Sequence, residues 1–216
     1  MKANLSETDS LIFDMDGTLW DAMSSYCKIW NICFEKCGLR FPYTEDDVRA
    51  YMGYTIDYIF DDIVRRTGVE INRQKFLEDI ENEENMRMAT LGGNLYDGVH
   101  DGLARLSEHY KLFMVSNCSR FGLVNFMKFS GTTQYFTDSL SFGQNRVPKS
   151  ENIKILIDRH KLKHPVYVGD TQADCDQTHK AGIPFVYASY GFGKCEDYDM
   201  KIESFTELVN YFSKQK

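Results

Sequence analysis

Three short apolar runs in the sequence each end in small polar or acidic residues. These runs and the residues that follow them are 11–13 with Asp14 and Asp16, 112–115 with Ser116 and Asn117, and 166–168 with Gly169 and Asp170. Continuous apolar runs of this length are typical of strands that are buried on both faces. Segments with helical spacing alternate with these runs and with a fourth apolar run at 184–188, so the sequence predicts an α/β fold with a doubly wound parallel (Rossmann-like) sheet.

Residues 21–91 have a different period from the rest of the chain. Their apolar residues recur at helical spacing, with stops at Gly38 and Gly68 and an N-cap signal at Thr44. We expect four helices and no strand in this segment, and we expect its acidic run, 78–84, to be a solvated helix face. The prediction is a catalytic α/β core of residues 1–20 and 92–216 with an inserted all-helical cap of residues 21–91.

The acidic residues at the strand ends predict a metal site. Ligands bind outside the carboxyl ends of parallel strands, where Asp14, Asp16, Asp170 and Asp174 should meet. A single Asp such as Asp170 often caps the following helix, but capping does not explain acidic residues at several strand ends. Carboxylates gathered in a dry cleft need a cation, and oxygen ligands favour Mg²⁺. No cysteine pair and no neighbouring histidine indicates zinc.

Donors for a phosphate group follow the second strand. The hydroxyl of Ser116 and the backbone N–H groups that follow it, beginning at Asn117, can face an anion. Lys149 precedes a predicted helix and is expected at the rim of the same cleft. Because Mg²⁺ sites commonly leave positions for substrate phosphate, these residues are candidates for phosphate binding.

Composition limits the partners of the chain. The formal net charge is -7 and no block of basic residues occurs, which argues against nucleic acid and anionic membranes as partners. The six cysteines form no CxxC pair and no signal peptide is recognisable, so we expect reduced thiols and a cytoplasmic location. The oligomeric state cannot be inferred from these features.

Four motifs in order resemble those of the haloacid dehalogenase-like hydrolases. "DMDGT" from Asp14, "LFMVSN" ending at Ser116 and Asn117, Lys149, and "VGDTQAD" with Asp170 and Asp174 resemble motifs one to four. The long gap after motif one has room for a helical cap, as in the branch of the phosphoglycolate phosphatases and β-phosphoglucomutases. The resemblance covers nearly the whole chain and implies a Mg²⁺-dependent phosphatase acting on a small phosphorylated metabolite.

The resemblance also implies a role for each motif residue. Asp14 would attack phosphorus, and Asp16 would serve as acid and then base, which requires a raised pKa. Asp14, the Asp16 carbonyl and Asp170 would hold Mg²⁺, with Asp174 as a further or water-mediated ligand. Ser116, Asn117 and Lys149 would bind the transferring phosphoryl group.

Departures from the family pattern leave alternatives open. Tyr26 stands where the mutase branch carries a histidine, and Asp16 argues against the dehalogenase branch, so phosphatase is favoured over both. A phosphomutase and a non-catalytic phosphate-binding module on the same fold remain alternatives.

Specificity should depend on the cap. Candidates for contacting the leaving group are Arg49, Tyr51, Gly53 and Tyr54. Trp20 replaces the usual aliphatic residue after the first motif. It is expected either to face the cap or to pack at the hinge.

Overall fold

A parallel sheet with helices on its faces forms the centre of the structure, a computed structural model that describes residues 4–39 and 42–215. Within these residues the strands are β1 (Ser10–Phe13), β2 (Trp20–Asp21), β3 (Asn94–Leu95), β4 (Lys111–Ser116), β5 (Phe136–Ser141), β6 (Pro165–Gly169), β7 (Phe185–Ala188) and β8 (Met200–Ile202). The helices in the same part of the chain are α1 (Met23–Lys36), α2 (Glu45–Arg49), α3 (Ile56–Thr67), α4 (Arg73–Leu91), α5 (Val99–Ser107), α6 (Gly122–Ser130), α7 (Phe142–Asn145), α8 (Lys149–His160), α9 (Gln172–Ala181) and α10 (Phe205–Ser213).

The sheet has the order β5-β4-β1-β6-β7-β8, and its strand pairs are all parallel. β1 lies at the centre, and its residues Leu11, Ile12 and Phe13 are fully buried. After β1 the chain builds β4 and β5 on one side and then β6, β7 and β8 on the other. This reversal of direction creates a crevice at the carboxyl end of β1, which is where ligands bind in such sheets. The predicted doubly wound fold is confirmed.

The part of the chain between β2 and β3 is helical as far as the structure describes it. α1 to α4 occupy it, with a Thr44–Asp47 capping box before α2 and Gly68 in the left-handed conformation after α3. β2 and β3 pair antiparallel and mark the two crossings into and out of this segment. The prediction that these residues form a separate cap domain stays a prediction.

The sequence analysis missed two strands of the sheet, β5 and β8, which are its edges. β5 reads FTDSLS and is only partly buried, and β8 has three residues, so neither shows an apolar run. The prediction that the acidic run is a solvated helix face was wrong for Glu83 and Glu84, each of which is 6% exposed. Glu83 pairs with Lys36 and Arg87, which compensates its charge.

Gly93 tests how tightly the β2–β3 crossing is packed. A Cβ at Gly93 would lie 2.8 Å from Trp20 Cε3, from the Asp21 carbonyl and from Ala22 Cβ. We expect Gly93→Ala to lower the free energy of unfolding by about 1–3 kcal/mol, because neither backbone nor a buried indole can move away cheaply. Asn94→Ala, at the next and exposed position, should change it by less than about 0.5 kcal/mol. Equal stability of the two variants in urea unfolding would contradict this packing.

Candidate active site

Three neighbouring strands bring their terminal residues to one edge of the sheet. Asp14 directly follows β1, and its N–H donates to the Val168 carbonyl of β6 at 2.9 Å. Ser116 ends β4, and Asp170 follows the last residue of β6. Because β1 pairs with both β4 and β6, these residues meet at the crevice. Asp14, Ser116 and Asp170 are each at most 4% exposed.

Lys149 lies inside the crevice and not at its rim, where the sequence analysis expected it. It begins α8 and is 2% exposed. Its Nζ lies 3.1 Å from Asp14 Oδ1 and 2.5 Å from Asp174 Oδ1. Burial by itself favours the neutral amine, but the two carboxylates hold the pKa of Lys149 well above its usual range. Lys149 is therefore a fixed positive charge beside Asp14.

Asp174 is held by hydrogen bonds at both of its oxygens. Its Oδ1 accepts from Lys149, and its Oδ2 accepts from Thr171 N at 3.0 Å and Thr171 Oγ1 at 2.7 Å. Thr171 is the N-cap of α9, and Asp174 completes its capping box. The helix is thus capped by Thr171 and not by Asp170, which leaves the Asp170 carboxylate for another role.

Asp170 is surrounded by backbone and by glycines that leave room for its carboxylate. Its Oδ2 accepts from Phe192 N at 2.7 Å, and its Oδ1 accepts from Thr18 Oγ1 at 3.3 Å. A side chain at Gly17 or Gly191 would overlap the Asp170 carboxylate. Burial raises the pKa of Asp170 well above its usual range, and the charges of neighbouring carboxylates add to this.

The charge of this cluster fits a divalent cation. Oxygens of Asp14, Asp170 and Asp174 all lie within 4.8 Å of one another. Within the part of the chain that the structure describes, Lys149 is the one cation at ion-pair distance from them, so the four groups together carry two negative charges when ionised. Asp14 Oδ1 also lacks an aligned hydrogen bond. An all-oxygen donor set with this deficit suits a hard cation such as Mg²⁺.

Asp16 lies in an environment that favours its protonated form. Burial raises its pKa to about 8, and the negative charge of Asp14 adds to the shift. Its Oδ1 accepts from Trp20 Nε1 at 2.8 Å, and its Oδ2 lies 3.3 Å from the Tyr26 hydroxyl. A carboxyl group that is neutral near pH 7 can donate a proton to a leaving group.

A cavity of about 70 Å³ opens over Asp14 between the strand ends and the helical segment. Besides Asp14 its lining includes, on the strand side, Asp16, Ser116, Asn117, Arg120, Arg146 and Lys149, and on the helical side Tyr26, Trp30, Tyr51, Gly53, Tyr54, Glu81 and Glu84. The lining thus joins groups suited to phosphate with aromatic and acidic groups of the helical segment.

The cap candidates divide into two groups. Tyr51, Gly53 and Tyr54 line the cavity. The Tyr51 hydroxyl is already bonded to Asp62 Oδ2 at 2.9 Å, whereas Tyr54 is 46% exposed. Arg49 and Trp20 lie outside the lining: the Arg49 guanidinium stacks 5.0 Å over the Phe192 ring.

Trp20 is 1% exposed and packs edge-on against Phe126. Of the two expectations for Trp20, packing at the hinge describes its position better, although its indole N–H reaches the site.

The sequence analysis missed further members of the site. Glu84 lines the cavity and accepts from Trp30 Nε1 at 2.8 Å, and burial raises its pKa. The Thr18 hydroxyl, to which the sequence analysis gave no role in the site, donates to Asp170 Oδ1. The Asn117 side chain donates to the Gly53 carbonyl at 2.7 Å, so it connects the second motif to the helical segment. The sequence does not indicate that Glu84 is buried, because Glu84 belongs to an acidic run that resembles an exposed helix face.

Comparison with known proteins identifies the family. The model of the haloacid dehalogenase-like hydrolases matches residues 11–188, which include every motif residue named above. The chain therefore belongs to the haloacid dehalogenase-like hydrolase family.

Relatives and solved structures agree with this assignment. The chain is 27% identical over 192 residues to a phosphoglycolate phosphatase of Rhodobacter capsulatus, which covers 86% of each chain. It is 22% identical to the pyrophosphatase PpaX of Listeria monocytogenes over 81% of this chain and 82% of the relative. A predicted phosphatase from Clostridium acetobutylicum superposes with a TM-score of 0.82 at 16% identity, over 96% of this chain and 99% of that chain, and shows the same fold.

These similarities confirm the prediction of an enzyme of the phosphatase class. A separate observation concerns membranes. Among residues 4–39 and 42–215, no helix is both long and apolar enough to cross a bilayer.

Asp170→Asn tests the charge deficit of the cluster. The amide can keep both hydrogen bonds, with its oxygen toward Phe192 N and its NH₂ toward the Thr18 hydroxyl, while it removes one buried negative charge. We expect the metal-free variant to melt above the wild type by about 2–8 °C, the effect of ~1–2 kcal/mol in a chain of this size.

The wild type should gain thermal stability when Mg²⁺ is added, by ~2.7 kcal/mol at a hundred times Kd, and Asp170→Asn should not. Asp176→Asn, an exposed change on α9, should behave as the wild type. A variant that melts lower in EDTA and still responds to Mg²⁺ would contradict the assignment.

Proposed function

We propose that the chain is a Mg²⁺-dependent phosphomonoester hydrolase that acts on a small phosphorylated metabolite through a phosphoaspartyl intermediate. One observation carries the proposal: the buried Asp14 carboxylate faces the cavity with Lys149 at 3.1 Å and with the Asp170 and Asp174 carboxylates beside it. The Asp14 carboxylate is suited to attack phosphorus in this environment, because Lys149 compensates its negative charge without protonating it.

In the first half-reaction, an oxygen of Asp14 forms a bond to phosphorus and the bond from phosphorus to the leaving oxygen breaks. Asp16 supplies the proton that the leaving oxygen needs, so an alcohol departs and Asp14 carries the phosphoryl group. The raised pKa of Asp16 supports this role, since the group holds a proton near neutral pH. Ser116, Asn117 and Lys149 are proposed to bind the phosphoryl oxygens.

In the second half-reaction, Asp16 acts as a base. Its carboxylate takes a proton from a water molecule, whose oxygen bonds to phosphorus as the bond to Asp14 breaks. Inorganic phosphate leaves, and Asp14 and the protonated Asp16 are restored. The residues proposed to hold Mg²⁺ are Asp14, Asp170 and the Asp16 carbonyl, with Asp174 acting through water because hydrogen bonds already engage both of its oxygens. The bound ion neutralises negative charge on the transferring group.

We propose residues 21–91 as the cap that supplies substrate contacts. Two contacts link this segment to the core beside the cavity: Asn117 with the Gly53 carbonyl, and Arg146 Nη1 with Asp57 Oδ2 at 3.0 Å. We propose that movement of this segment admits the substrate and closes the cavity over it.

Phosphoglycolate is a candidate substrate, because a relative is named for it. Pyrophosphate, for which another relative is named, is an anhydride and would release phosphate in place of the alcohol. The exposed guanidinium of Arg120 at the cavity supports an anionic leaving group, whereas the buried carboxylate of Glu84 opposes one. A screen of phosphorylated metabolites decides between these classes. The phosphomutase alternative is disfavoured by Tyr26, since a phenol is a poor proton donor near neutral pH.

Asp14→Asn and Asp16→Asn separate the enzyme from a phosphate-binding module. With Mg²⁺ and an aryl phosphate, we expect Asp14→Asn to lose at least ~10³ of kcat, because the amide cannot attack phosphorus. Asp16→Asn should accept the phosphoryl group from a good leaving group and release it slowly, so intact-protein mass spectrometry should detect a phosphorylated species. A wild type that binds phosphate but never turns over would reject the proposal.

Tyr54→Ala tests the proposed cap contact. Tyr54 lines the cavity, whereas Tyr58 stacks on it at 4.3 Å and is similarly exposed, at 49% against 46%, without lining the cavity. We expect Tyr54→Ala to change the ratio of kcat/KM values between two substrates by ~3–10-fold and to leave inhibition by inorganic phosphate unchanged. Tyr58→Ala should change this ratio less. Equal effects of both variants would remove Tyr54 from the list of substrate contacts.

A further inference from the structure

Two buried aromatic residues hold the carboxylate of Asp16 from different elements. Trp20 belongs to β2 and Tyr26 to α1. The Trp20 Nε1 atom lies 2.8 Å from Asp16 Oδ1, and the Tyr26 hydroxyl lies 3.3 Å from Asp16 Oδ2. Their side chains are 1% and 6% exposed. Each oxygen of Asp16 therefore has its own aromatic partner.

The two partners differ in what they can do. An indole N–H only donates, so Oδ1 must remain an acceptor in both half-reactions. A phenol hydroxyl can donate or accept, so the contact at Oδ2 suits both the ionised and the protonated carboxyl group. We propose that Trp20 and Tyr26 are positioning residues that orient Asp16 and leave Oδ2 as the oxygen that exchanges a proton with the leaving group. The inference rests on the proposed phosphatase function.

The position of the indole is fixed by packing. The Trp20 ring meets Phe126 edge-on at 5.0 Å between centroids, and the absent side chain of Gly93 leaves room for its other side. An aliphatic residue at position 20 fills part of this space but leaves Asp16 Oδ1 without its donor. Rotation of the carboxyl group then exchanges the two oxygens, which places the proton away from the leaving group for part of the time.

The dependence of rate on the leaving group measures this positioning. A leaving phenol of low pKa departs without a proton, whereas one of high pKa needs the acid. A series of substituted phenyl phosphates of similar size varies this need, and the slope of log(kcat/KM) against the phenol pKa reports it. We expect Trp20→Phe to steepen the slope toward that of Asp16→Asn, with a loss of about three- to tenfold for the least acidic phenol, the effect of one hydrogen bond to a neutral carboxyl group. The loss for nitrophenyl phosphate should be less than threefold.

Trp30→Phe is the matched control. Trp30 is the second of the two tryptophans in the chain, and its Nε1 also donates at 2.8 Å to a buried carboxylate, that of Glu84. Both carboxylates line the same cavity. Trp30→Phe removes an equivalent bond that does not involve Asp16, and it keeps an aromatic ring beside Tyr26, whose ring centroid lies 6.1 Å from that of Trp30. It should therefore keep the wild-type slope whatever its effect on the rate itself.

The outcomes separate the inference from the function on which it rests. A steeper slope for Trp20→Phe than for Trp30→Phe supports the positioning role. A wild-type slope for a folded Trp20→Phe overturns it, even if all rates fall together. If Trp20→Phe does not fold, Tyr26→Phe decides in the same way. A wild type without aryl phosphatase activity, or an Asp14→Asn variant with full activity, overturns the proposed function and the inference together.

Discussion

The contact between Lys149 and Asp14 is the interaction on which the rest of the site depends. A buried lysine alone would lose its charge, and buried carboxylates alone would take up protons. Together they offset these tendencies: burial raises the pKa of Asp14 to about 6, the charge of Lys149 limits this rise, and Asp174 is the second partner of the lysine. Asp174 in turn is held by the capping box that it forms with Thr171 at the start of α9. The start of a helix thus determines the position of the lysine, and through it the electrostatics at Asp14.

The sheet order explains why these groups meet at all. β1 is central, and β4 and β6 flank it, so residues far apart in the chain arrive at one edge. The reversal of chain direction at β1 opens the crevice, and the helical segment enters and leaves beside it through β2 and β3. The strand order therefore determines whether the site can form, because a different order would separate Asp170 from Asp14.

The sequence predicted the parts that depend on local patterns. Apolar runs marked β1, β4 and β6, and the polar residues after them marked the site, because the strand end fixes where such residues lie. The edge strand β5 was missed because its sequence, FTDSLS, is mostly polar and contains no apolar run. The burial of Glu84 was missed because burial of a single carboxylate depends on tertiary packing. Lys149 was expected at the rim since only the fold shows that the start of α8 points into the crevice. The hydrogen bond from Trp20 to Asp16 likewise spans a turn whose shape the sequence does not reveal.

The buried carboxylates of this acidic chain differ in how completely they are satisfied. Asp174 has Thr171 and Lys149, Asp16 has Trp20 and Tyr26, and Glu84 has Trp30. Asp14 Oδ1 has a lysine nearby but no aligned hydrogen bond. A buried oxygen without a hydrogen bond lowers the stability of the fold, and proteins commonly retain such an oxygen where it takes part in function. Among these four carboxylates, Asp14 is therefore the one with a buried oxygen that lacks a hydrogen bond, which fits the nucleophilic role proposed for it.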